Sequence, residues 1–151
     1  MKMTVLMIFI SLFFSFHSQA SLSSVEASGK VFYTMPDQSL VFRDVVLSVP
    51  MRGQGDVVLK WSTGEQVADS FFYRKQNGRT VFYVVFKNPP QAPQGTVLVL
   101  KGTYTRGSNL ALYYGDMFTK SGNKFSQNEV VSLNKWSYTG GFYFKADVPQ
   151  E

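Results

Sequence analysis

The sequence predicts an all-β protein, a single antiparallel β-sandwich of about seven to nine short strands. Three observations predict it. Short runs rich in Val, Phe, Tyr and Thr recur between Gly, Pro and Asn clusters along most of the chain. An Asn-Gly pair, Asn77-Gly78, sits between two aromatic runs. No long segment carries the 3.6-residue period of an amphipathic helix.

Residues 1–20 stand apart from the rest. Lys2 precedes an apolar run from Val5 to Phe16, and His17-Ser18-Gln19-Ala20 ends it with small residues at the positions a signal peptidase reads. The run holds about twelve residues, whereas a bilayer span needs ~20. These residues read as a cleavable signal peptide, so the protein is expected to be exported. Residues 21–28 read as a short polar lead-in, and 29–151 as one domain. That domain contains no cysteine for a disulfide or for acylation. Small exported domains often rely on disulfides. This one must rely on apolar burial instead, and all eight Tyr, both Trp and ten of the fourteen Phe lie after residue 20.

The strands follow in order. Lys30 to Met35 is closed by Pro36-Asp37, and Leu40 to Val49 by Pro50 and the Gly53-Gln54-Gly55 bend. Asp56 to Ser62 alternates Val57, Leu59, Trp61 against Val58, Lys60, Ser62 and stops at Thr63-Gly64. Phe71–Lys75 and Thr80–Phe86 form a hairpin, because both positions of a type I′ turn need positive φ and Asn-Gly supplies them. Pro89-Pro90-Gln91-Ala92-Pro93 cannot continue a ladder, since proline has no amide donor. Thr96–Thr105, a turn at 106–109 and Leu110–Tyr114 come next. From 115 to 135 the alternation weakens. Ser126 and Glu129 have capping-box spacing there, which leaves room for one short helix near 126–133. Trp136–Tyr138 and Phe142–Val148 make a final strand or pair around Gly140-Gly141. The architecture is immunoglobulin-like only in the loose sense.

Composition narrows the chemistry. His17, the single histidine, lies in the leader, so the domain lacks the imidazole of serine and cysteine triads. It also lacks the His and Cys of common zinc and copper sites. No phosphate-cradling glycine loop and no calcium-loop pattern occurs. Ser132-Leu133-Asn134-Lys135 matches S-x-x-K, and Lys120-Ser121-Gly122 is close to K-T-G. The two stand in the reverse order, with no helical domain to present the serine. The chain is therefore expected to be non-enzymatic, with neither cofactor nor metal.

Fifteen basic residues against ten acidic ones give a net charge of +5. Phe72, Tyr73, Arg74, Lys75, Arg79 and Tyr83 cluster on the central hairpin and are candidate contact residues. Such a patch is either recognition surface or a central strand pair whose second face is covered by chain. Trp61, Trp136 and Tyr138, with Tyr143, are candidates for a carbohydrate platform, or else plugs in the core. The leading expectation is a binding protein of the bacterial envelope or cell surface, periplasmic or extracellular, that takes a protein partner by edge-strand pairing. A carbohydrate-binding module, or contact with another anionic surface, is the alternative. A small outer-membrane barrel is the third reading. Nucleic acid is not expected as a partner, and no segment after residue 20 is apolar enough to span a membrane.

Overall fold

The computed structural model describes residues 24–50 and 55–147. The leader expected at 1–20 lies outside these. Nine strands form, β1 (Ser24–Thr34), β2 (Leu40–Pro50), β3 (Val58–Trp61), β4 (Gly64–Val67), β5 (Ser70–Gln76), β6 (Arg79–Lys87), β7 (Thr96–Arg106), β8 (Leu110–Ser121) and β9 (Ser137–Asp147). Among the described residues one short helix, α1 (Gln127–Ser132), precedes β9. The all-β class is as expected. The division into two stacked sheets is not seen. All nine strands share one sheet in the order β4-β3-β2-β1-β9-β8-β7-β6-β5. The physical reason is that β1 pairs with both β2 and β9, so the first and last thirds of the chain share a ladder.

Strand direction then dictates how the sheet curls. Every paired neighbour is antiparallel. Counting outward from β1 in both directions makes β4 and β5 run the same way. They are one path that changes partner at Ala68-Asp69, first following β3 and then β6. Backbone bonds mark the handover: Ala68 donates to Val57 O (2.8 Å) and Asp69 to Val85 O (2.8 Å). Gln66 Nε2 donates to Lys87 O (2.7 Å), and Lys87 N–H donates to Asp69 Oδ2 (2.7 Å). The two edges of the sheet are thereby tied together, and it closes as a barrel does.

The inward face is filled with side chains. Ala27, Leu47, Val57, Phe82, Val84, Phe86, Leu100, Phe142 and Phe144 are its buried centre. Phe82 sets its ring 5.7 Å from Tyr113 and 5.9 Å from Phe142. Gly102 and Gly115 oppose one another across β7 and β8. The ring tips of Phe82 and Phe142 occupy the space a side chain at Gly102 would take. Glycine is needed here for close approach, letting backbones crowd where the sheet bends sharply.

A second, smaller core lies on the outward face of β6 and β7. Val81, Tyr83, Val85, Val97 and Val99 are roofed there by Val130 and Leu133 of the α1 segment. The expected capping box is present. Glu129 N–H donates to Ser126 Oγ (3.2 Å), and Ser126 N–H donates to Glu129 Oε2 (3.3 Å). The Ser126 amide and the Lys120 ammonium hold the Glu129 carboxyl below its ordinary value of 4.5. A depressed folded value means this cap is complete above that ordinary value and is lost as pH falls through the lower one. Amide protection factors at Val130 and Leu133, corrected for the intrinsic rate at each pH, are expected to fall on acidification, and Glu129→Gln to remove that dependence. Unchanged acid sensitivity in the variant would assign it to another group.

Three boundaries differ from the sequence reading, and the final strand or pair expected from it takes the first of those two forms. The lead-in expected at 21–28 is already β1 from Ser24, with Val25 and Ala27 inward and Ser24, Glu26 and Ser28 outward. β4 continues past Thr63-Gly64, because the turn there folds the chain back onto β3. β8 reaches Ser121 rather than Tyr114, since Gly115 and Asp116 stay in register with Gly102 and Lys101. β9 is one strand, with a register shift opposite Met117/Phe118. The Asn77-Gly78 turn forms as expected, with φ of 50° and 75°.

Candidate functional site

The central hairpin spends its aromatics on structure. Tyr83 is fully buried. Phe72 stacks on it at 4.9 Å and 15°, and its hydroxyl accepts from Gln76 Nε2 (2.8 Å). Burial pushes that hydroxyl above the usual tyrosine value. Tyr83 is therefore no contact residue: alternation places it outward from the barrel, and α1 covers that side. Arg74 lies over the Phe72 ring (5.4 Å) and donates to Gln127 Oε1 (2.9 Å), which pins α1 to the hairpin. Tyr73 meets Phe71 edge-on at 4.9 Å and remains partly open. Lys75 and Arg79 are exposed beside the turn.

The expected carbohydrate platform divides. Trp61 packs against the interior core and Trp136 against the core under α1, so the two rings belong to different layers. Tyr138 is the most exposed aromatic, at 64%, edge-on to Phe118 at 6.0 Å. Lys120 sits over the Trp136 ring (5.6 Å) and pairs with Glu129 (3.3 Å). With Ser132 and Lys135 these residues line a small pocket of about 230 Å³. Both penicillin-enzyme-like motifs thus contribute to one pocket, the second through Lys120. However, Ser132 Oγ donates to Glu129 O (3.2 Å), a bond that closes the helix rather than arming a nucleophile.

Exposed apolar side chains gather elsewhere, on the outward face of β2, β1, β9 and β8. Leu110, Leu112 and Tyr114 alternate along β8 and are 39%, 39% and 47% exposed. Tyr143 of β9 stands directly across from Tyr114, and Lys145 across from Leu112. On the far side, Phe42 of β2 tilts against Phe32 of β1 at 5.9 Å.

Between those aromatics a trough of about 660 Å³ opens over β9, β1, β2 and β3. Its walls include Lys30, Lys60, Lys145, Asp44, Trp61 and Tyr143. Lys30 is paired with Asp44, which raises the lysine's pKa, and Lys60 with Glu26 (3.3 Å). Among the described residues Lys145 is in no ion pair.

Sequence reasoning singled out Trp61 and Tyr143 among the aromatics and lysines of this trough, but neither Leu110 nor Leu112 of the β8 stripe. Alternation along 110–114 was readable, but period 2 does not say which face meets water. Among the described residues no group of three metal-ligating side chains occurs. No protein family, curated protein sequence or solved structure matches this chain.

Proposed function

We propose that this chain is an exported, non-enzymatic binding protein of a bacterial envelope or cell surface. It holds a protein partner against the outward face of β8 and β9. One observation carries the reading. Leu110, Leu112, Tyr114 and Tyr143 are large, exposed and contiguous in register on two adjacent strands. Contiguous apolar surface of this kind marks contact sites, and tyrosine suits a surface that is wet when free.

Contact through a face is preferred here to the edge-strand pairing expected from the sequence, because these exposed apolar side chains lie on β8 and β9, interior strands whose ladders are occupied on both sides. Export rests on the leader at residues 1–20. The membrane-barrel alternative is disfavoured by the outward side chains Glu26, Lys30, Asp44, Lys60, Lys101, Asp116 and Lys145. A lipid-facing band would have to be apolar.

Photocrosslinking tests the face in cells. A crosslinker at position 112 is expected to trap one protein species. A Leu110→Ser/Tyr114→Ser variant of unchanged circular dichroism is expected to weaken that complex about tenfold or more. Equal complex formation by the double variant would refute the proposed face.

A further inference from the structure

We propose that the trough over β9, β1, β2 and β3 binds an acidic glycan, a sugar chain carrying carboxylates or sulfates. The trough's size falls among those of ligand sites, which span about 300–1,000 Å³. It is open to the surface of the sheet rather than enclosed, so a ligand larger than the trough can extend beyond it.

Its chemistry is complementary to such a chain. Three ammonium groups line it, those of Lys30, Lys60 and Lys145, against the carboxylates of Asp44 in the lining and Glu26 beside Lys60, which leaves one net positive charge. The pairing of Lys30 with Asp44 and of Lys60 with Glu26 fixes those two lysines in place. Lys145 keeps its charge for a ligand. A carboxylate or sulfate on the sugar would accept a charge-assisted hydrogen bond from it. The ring of Tyr143 gives an apolar wall on which the C–H face of a sugar ring can pack, and Trp61 closes the far end of the trough. Ser28 and Ser62 add hydroxyls at the rim for the sugar's own.

This site adjoins the proposed protein face at Tyr143 but does not depend on it. Native affinity electrophoresis of the purified protein separates the two. A polyuronate in the gel is expected to retard the protein, and neutral dextran to leave it unmoved. Lys145→Gln is expected to weaken retardation about tenfold, the scale of one hydrogen bond to a charged group. The charge-matched Lys124→Gln, on the exposed loop before α1, is expected to change it less than twofold. Trp61→Ala perturbs the interior core as well, so Tyr143→Ala serves as the wall variant and is expected to weaken retardation with an unchanged melting temperature. The Leu110→Ser/Tyr114→Ser protein is expected to keep full retardation even where crosslinking fails. The glycan site is overturned by any of three results: no retardation by either polyuronate or sulfated dextran, equal retardation by neutral dextran, or equal losses in Lys145→Gln and Lys124→Gln.

Discussion

Gly115→Ala is expected to destabilise the protein by about 3 kcal/mol or more and to cut the yield of folded material sharply. A Cβ at this position would overlap the carbonyl oxygen of Lys101 and the Cα of Gly102 on β7. Both obstacles are backbone, held by the β7–β8 ladder on either side, so no rotamer change relieves the overlap. The strands must separate, and β8 also carries the ladder to β9. Against a total stability of roughly 5–15 kcal/mol, a single methyl group then decides whether the sheet closes. Gly107→Ala is the control, since a Cβ there would meet only Leu110 O, at 3.5 Å. Urea titrations should place Gly107→Ala near the parent midpoint and Gly115→Ala far below it. Coincident midpoints would mean that β7 and β8 do not approach as closely as described.

Phe82→Ala is expected to cost about 3–5 kcal/mol, the usual range for emptying a buried aromatic position. Phe82 is 1% exposed and touches both Tyr113 and Phe142, so it links β6 to β8 and β9 across the interior. Its ring tip also covers Gly102, which has no side chain to fill the space itself. The neighbours that would have to collapse into the void are aromatic and ladder-bound, which keeps the cavity open. Phe42→Ala removes the same number of atoms from a ring 55% exposed on the outward face, and is expected to stay within about 0.5 kcal/mol of the parent. Similar losses for the two variants, measured by thermal and urea unfolding, would contradict the assignment of inside and outside along β6 and β2.

Much of this protein was legible residue by residue wherever the information is local. Positive φ at Asn77 and Gly78 follows from the pair itself. The α1 cap follows from Ser126 and Glu129, whose side chains reach each other's amides. The strands at 40–50 and 79–87 follow from β-branched and aromatic runs. Gly64-Glu65-Gln66-Val67 escaped because it has little β propensity of its own and is a strand by virtue of lying against β3.

Nonlocal facts were a different matter. Alternation divides each strand into two faces but is silent on which neighbour it takes and which face is roofed. That β1 joins β9, that Ala68-Asp69 passes the chain from β3 to β6, and that α1 shelters Tyr83 all depend on residues distant in sequence. The same holds for the trough, which assembles Lys30, Asp44, Lys60, Trp61, Tyr143 and Lys145 from four segments. Absence of histidine and cysteine from the domain limits its chemistry before any folding. Where its exposed tyrosines and lysines converge is set by the closing of the sheet, because contacts between strands far apart in the chain are energetically favourable only once the whole ladder has formed.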